Sequence, residues 1–267
     1  MRLAASVAAG VAGVTLLAMA LSGPRDSELV EVARRVRKLA GPRDLVLVAK
    51  KTDPSVVDLF DPLPAVIAPD PPLEALRPFR RVLVVGADRT VRTILSARFG
   101  AGRRHGGSID SYSPAAATFD AIAQLEQATV QRGGERCPRE GGRHRCAGPR
   151  WRTVERRRMT VGGHEVDCVF AHPSTDGLAI TYPEPPGRPM LFRGAGGLSD
   201  RAAQRPGGPP VELTVEAGGR RLGRKSFRNA AGLAGYSFPH FPPGPLVIKL
   251  DVASQGARSF CLMLWGA

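Results

Sequence analysis

The sequence predicts an α+β multidomain chain: an apolar N-terminal helix, a small α/β unit and a C-terminal all-β sandwich or jelly roll. Three observations predict it. Leu3–Ser22 carries no charge; apolar strand-like and helix-like runs alternate between residues 27 and 112; from residue 118 onward short apolar runs recur between glycines, prolines and polar turn residues. The boundaries read as 1–22, 27–112 and 118–267. With 31 glycines and 24 prolines in 267 residues, turns and short strands are favoured over a helical bundle. The composition excludes a collagen, a coiled coil and a multi-span membrane protein.

Leu3–Ser22 is twenty residues long, and a helix of that length rises about 30 Å, the thickness of a bilayer core. Two readings stand. One is a retained transmembrane anchor. The other is a signal peptide cut after Ala18-Met19-Ala20 or Ala20-Leu21-Ser22. Both place the rest of the chain outside the cytoplasm: in the periplasm, at the cell surface or secreted.

In the α/β unit, Leu29, Val32, Val36 and Leu39 form one stripe of a helix over Ser27–Ala40, capped by Asp26 or Ser27 and stopped at Gly41-Pro42. Asp44–Ala49, Ala65–Ala68 and Arg81–Gly86 read as strands, and Arg89–Phe99 as a second helix. The alternation suits a Rossmann-like parallel fragment. A dinucleotide site is not expected. Gly86-Ala-Asp-Arg-Thr90 offers one glycine where pyrophosphate needs three, and Gly100–Gly107 lacks the Lys-Ser/Thr of a phosphate loop. No cofactor is expected.

In the β region the strand candidates are Ile122–Gln131, Trp151–Met159, Glu165–Ala171, Leu178–Tyr182, Met190–Leu198, Val211–Ala217, Arg221–Phe227, Ala234–Phe238, Leu246–Val252 and Arg258–Trp265. Val211–Glu216 alternates as a half-exposed strand does, and Gly218-Gly219 marks a tight hairpin.

Four cysteines in an exported chain read as disulfides. Cys137 and Cys146 flank a loop rich in turn-formers, and Cys168 and Cys261 lie in separate strand-like runs, so the proposed pairs are Cys137–Cys146 and Cys168–Cys261. Loop closure gives upper estimates of about 2.7 and about 4.6 kcal/mol for the two. Free thiols and a zinc site built from Cys137, His144, Cys146 and His164 are the alternatives. The spacing matches no zinc ribbon or finger, and no metal is expected.

An ordered series carries a resemblance. It runs Cys168-Val-Phe-Ala-His-Pro173, Phe192-Arg-Gly-Ala-Gly-Gly-Leu-Ser-Asp200, Pro210–Gly219, Arg228-Asn-Ala-Ala-Gly232 and Arg258-Ser-Phe-Cys261. It resembles the galactose-binding-like jelly-roll modules of exported bacterial proteins, over residues 118–267. Glu28–Asp88 resembles, in its topology, the soluble tail of bacterial membrane glycosyltransferases of the protein-mannosyltransferase-like kind. The chain lacks the many spans and the acidic loop those enzymes use, so no catalysis carries over. The resemblances imply a non-catalytic envelope protein that binds a glycan or a protein partner through the sandwich. An accessory role in a glycosyltransferase system, or a structural role in the envelope, are the alternatives.

Sugar sites pair an aromatic platform with polar groups. Trp151, Tyr236, Arg193 and Asp200 are the candidates, the last two flanking what reads as a glycine-rich turn, against the plainer reading of core aromatics and a loop clasp. His172 reads as a structural hydrogen-bonder, and no Gly-x-Ser-x-Gly elbow is present, so no catalytic residue is nominated. The net charge is +14, and ten arginines against three glutamates fall within Arg132–Arg158. This strip reads as a solvated face or a contact for anionic lipid or acidic glycan. Export and disulfides argue against nucleic acid.

Overall fold

The computed structural model describes residues 24–267 apart from Pro42, Lys51, Asp53, Pro71, Pro72, Ala115, Ala116, Arg188, His240, Phe241, Gln255 and Ala257. The expected anchor or signal, Leu3–Ser22, lies outside the described residues. Among the described residues no helix is long and apolar enough to cross a membrane.

The first helix, α1 (Pro24–Leu39), starts earlier than the Asp26/Ser27 cap expected from sequence, with proline at its first position, where a missing amide costs nothing. The strands β1 (Asp44–Val48), β2 (Ala65–Ile67) and β3 (Arg81–Val85) pair in parallel, in the order β2-β1-β3. β1 and β3 are apolar on both faces because both are covered. Val46, Val48, Leu83 and Val85 meet Ala33 and Val36 of α1 on one side. Leu45, Leu47, Val82 and Val84 meet Val91, Leu95 and Phe99 of α2 (Arg89–Phe99) on the other. Beyond α2 the unit departs from a Rossmann-like fragment. β4 (Arg103–Arg104) and β5 (Ile109–Tyr112) form a hairpin, and β5 pairs antiparallel to β3. The stretch Gly100–Gly107, glycine-rich in sequence, makes the helix end and this hairpin turn. Asp88 caps α2, accepting from the Val91 amide at 2.9 Å.

The rest of the chain is a two-sheet sandwich. Its strands are β6 (Phe119–Asp120), β7 (Thr129–Arg132), β8 (Glu135–Cys137), β9 (Arg139–Glu140), β10 (Arg143–Arg145), β11 (Thr153–Val161), β12 (His164–Ala171) and β13 (Leu178–Tyr182). They continue with β14 (Leu191–Leu198), the short helix α3 (Asp200–Ala203), β15 (Val211–Ala217), β16 (Arg220–Phe227), β17 (Ala234–Pro239), β18 (Leu246–Val252) and β19 (Phe260–Gly266). One sheet runs β17-β14-β19-β12-β11-β10-β9 and the other β16-β15-β18-β13-β7-β8. Alternate residues of β15 and β18, among them Leu213, Val215, Ile248 and Leu250, meet Phe192, Phe260, Leu262 and Leu264 in the core between the sheets.

One strand expectation and one turn reading need correction, while the strand expected over Met190–Leu198 is present as β14. Ile122–Gln131 is not one strand: it opens as turn and 3-10 helix, and only Thr129–Arg132 pairs. The run Arg193–Asp200 is not a glycine-rich turn but largely the interior of β14. A Cβ on Gly194 would stand 2.4 Å from the Met263 carbonyl and from the Tyr236 ring, so glycine permits close approach there.

The unbroken apolar run of β19 reflects cover on both faces. Its outward residues Cys261, Met263 and Trp265 pack with Met159, Val161 and Val166 of the β11–β12 hairpin and with Ile94 and Ala97 of α2. The α/β unit therefore lies on the outer face of the sandwich. Both proposed disulfides are present. Cys137–Cys146 bridges the end of β8 in one sheet to the residue after β10 in the other; Cys168–Cys261 joins neighbours β12 and β19. The thiols of the zinc alternative are thereby consumed, and His144 instead bonds the Leu125 carbonyl at 3.3 Å.

Candidate functional site

At one end of the sandwich β12 and β14 run out and β19 begins. The segments beyond them, with the turn before β11, enclose an open pocket of about 540 Å³ lined by Trp151, His172, Ser199, Arg201, Arg205 and Ser259, among others. Trp151 is placed by a tight turn: the Arg152 amide bonds the Pro149 carbonyl, and the Cys146 amide bonds the Arg152 carbonyl. Its side chain is 45% exposed, and it is the one large aromatic exposed among the described residues. The Arg152 guanidinium stands 5.6 Å from its ring centre.

The pocket wall is His172, buried between Trp151 and Phe170, which it meets edge to face at 5.2 and 5.1 Å. Burial pushes its pKa down to about 4; nearby Arg132 and Arg157 also oppose its charge. The imidazole is thus neutral at pH 7. Its Nε2 lies 3.5 Å from Ser259 Oγ, and its Nδ1 is buried without a partner. Behind it, buried Arg132 donates to the His172 carbonyl at 2.5 Å and to Ser174 Oγ.

The floor is stitched by Arg258, 1% exposed, whose Nη1 donates to the Ala202 carbonyl at 3.0 Å. Burial, and repulsion from Arg205, lower its pKa. Arg201 and Arg205 are exposed, and neither forms an ion pair among the described residues. Asp200, next to Arg201, is turned away. Its two oxygens accept the amides of Gly162 and Gly163 at the tip of the β11–β12 hairpin, at 2.5 and 2.9 Å.

A second cavity, of about 580 Å³, lies where the α/β unit meets the sandwich, over Leu73, Ile94, Met263 and Trp265. Several of its polar groups are already paired. Trp265 is 3% exposed and donates to Asp120 at 2.9 Å, while Arg158–Glu165 and Arg156–Asp167 pair at the rim.

The four nominated residues do not meet. Trp151 is at the pocket; Asp200 adjoins it but faces the hairpin. Arg193 is half-buried under the end of α2, where a Cβ on Gly100 would come 2.3 Å from its Nη1. Tyr236 is core: its ring lies over Gly194 and its hydroxyl donates to the Met263 carbonyl at 2.8 Å, and burial pushes its pKa well up. Sequence reading missed Arg201, Arg205, Ser199 and Ser259. The legible signal was Ser199-Asp-Arg-Ala-Ala-Gln-Arg205, two cations one helical turn apart just past a strand.

The expected contact strip for anions is partly neutralised, six of its ten arginines being paired. Arg132, Arg139, Arg145, Arg156, Arg157 and Arg158 each face a carboxylate.

No family model matches the chain, and no curated protein does. Among the solved structures similar to it are carbohydrate-binding modules. One is the CBM51 from Clostridium perfringens GH95 in complex with methyl-galactose, at 10% identity and TM-score 0.34, covering 52% of this chain and 97% of that one. Another is the CBM51-2 and INT domains of Clostridium perfringens ZmpB with GlcNAc, at 12% identity and TM-score 0.34, covering 60% of this chain. This chain spans about a third of that one's length, 34%. A family 35 carbohydrate-binding module from Clostridium thermocellum matches at 15% identity and TM-score 0.32, covering 55% of this chain and 97% of that one. None of these three is a membrane glycosyltransferase. At such overlaps no ligand and no residue transfers.

Proposed function

We propose that this chain is a non-catalytic, exported glycan-binding protein that holds a sugar in the Trp151 pocket. The observation that carries the reading is the exposed Trp151 at the mouth of an open pocket walled by hydroxyl, imidazole and guanidinium groups. An indole face takes the C–H face of a pyranose, while Ser199 and Ser259 are at hand for its hydroxyls. Residues 118–267 form the binding unit, and 27–112 form a separate α/β unit docked on its outer face. The two disulfides support a place outside the cytoplasm, with Leu3–Ser22 as its signal or anchor.

Catalysis is not part of this reading. Ser259 beside His172 is the start of a nucleophile–base pair, but none of the lining residues is a carboxylate that could complete a triad with it. The test is a glycan array followed by titration calorimetry on the exported chain and on Trp151→Ala. Trp151→Ala is expected to weaken binding at least tenfold while the chain remains folded, as circular dichroism at the titration temperature would show. Absence of binding across neutral and acidic glycans would overturn the reading.

A further inference from the structure

The geometry points to an acidic sugar, one carrying a carboxylate, as the ligand of the Trp151 pocket, with Arg201 and Arg205 as its anion clamp. This rests on the glycan-binding reading above and narrows it. The pocket holds several cations and no acid. Arg201 and Arg205 line it, Arg152 stands over Trp151, and Arg258 lies buried behind, its Nε and Nη2 without hydrogen-bond partners. None of the lining side chains is a carboxylate. The nearest in sequence, Asp200, has both oxygens committed to the Gly162 and Gly163 amides.

Several arginines elsewhere on the sandwich do face acids: Arg139 meets Glu126 at 2.8 Å and Arg158 meets Glu165 at 3.1 Å. His172, the other basic group in the wall, is uncharged at neutral pH, so the guanidinium groups alone set the field. Two guanidinium groups with no protein acid to satisfy them favour a planar anion that accepts paired hydrogen bonds, which a sugar carboxylate supplies. Trp151 beside them holds the ring that bears it. A bare polyanion would not need Trp151, and a neutral sugar would not need the arginines.

The test is calorimetry on the exported chain with oligogalacturonate and with hyaluronan oligosaccharides, each against its carboxyl-reduced, neutral form, at low and at 300 mM salt. The expected result is at least tenfold tighter binding of the acidic forms, a gap that narrows with salt. In the double variant Arg201→Gln/Arg205→Gln the acidic and reduced forms are expected to bind alike. An unchanged melting temperature of that variant keeps the result separate from unfolding. If acidic and reduced forms bind equally well to the unaltered chain and both need Trp151, the acid preference is overturned while the pocket stands. If acidic forms bind equally well to Trp151→Ala, the binding is surface charge alone, and both readings fail. If none of these probes binds, the acidic-sugar assignment is overturned, and the glycan array decides the wider reading.

Discussion

His164 Nε2 lies 2.6 Å from Asp88 Oδ2, joining the β11–β12 hairpin of the sandwich to the N-cap of α2. The same ring presents Nδ1 to Asp70 Oδ1 at 2.9 Å. One imidazole thus spans two carboxylates of the α/β unit. Burial works against its charge, but the bonds to Asp88 and Asp70 outweigh that and raise its pKa. Burial likewise opposes the Asp88 charge, and the Val91 amide together with His164 holds its pKa below the usual value.

The first prediction concerns this clasp. A raised imidazole pKa means stability fully present below the unfolded value, about 6.5, and lost as pH rises through the folded one. His164→Gln is expected to cost about 1 kcal/mol at pH 6, because the groups are partly exposed and screened. Against the unaltered chain the difference should shrink at pH 9. Urea unfolding at the two pH values checks it; an equal loss at both would refute the charged clasp.

His172 carries the opposite sign. Its pKa, pushed down to about 4, means stability present above about 6.5 and lost as pH falls toward 4, because the unfolded chain takes up the proton first. The protein is expected to melt at lower temperature at pH 5 than at pH 7, and His172→Phe to reduce that drop. Calorimetric melts of both forms measure it.

Arg132→Met should destabilise strongly. It removes the donors that the His172 carbonyl and Ser174 Oγ share, at a site 5% exposed. Buried acceptors left unpaired point to a loss of about 3 kcal/mol. Chemical denaturation reads this directly, and a loss below about 1 kcal/mol would show that water replaces the guanidinium.

Gly194→Ala tests the close approach within β14. The new methyl would meet the Met263 carbonyl and the Tyr236 ring at 2.4 Å, and the carbonyl belongs to a central strand that cannot retreat. A loss of about 3 kcal/mol is expected from the overpacking. A melting temperature within a degree of the unaltered chain would contradict it.

Much of the sandwich was legible because its strands obey a two-residue period. Val211–Ala217, whose alternation is clean over Val211–Glu216, and Leu246–Val252 were both read as strands and pair as neighbours. Arg258–Trp265 was also legible as a strand, observed over Phe260–Gly266, but what covers its outer face was not, since an apolar run does not name its neighbour. Both disulfide pairs followed from loop size and strand context. Met190–Leu198 was read as a strand, yet its glycines were also read as a turn between Arg193 and Asp200, because close backbone approach leaves the same residue as a turn does. Most of the pocket was not legible. Its residues come from four separate segments, and nothing local separates Arg201, which lacks an acid, from Arg158, which faces one. Trp151 was nominated on residue type, while Arg193 and Tyr236 were nominated by the same logic and lie in packed surroundings.

The Cys137–Cys146 bridge reaches beyond the join between the two sheets. Cys146 is also the residue whose amide closes the turn that presents Trp151. Breaking that bond would untether the near edge of the turn, so how firmly the indole stands at the pocket mouth depends on the oxidation state of two cysteines that do not themselves line the pocket.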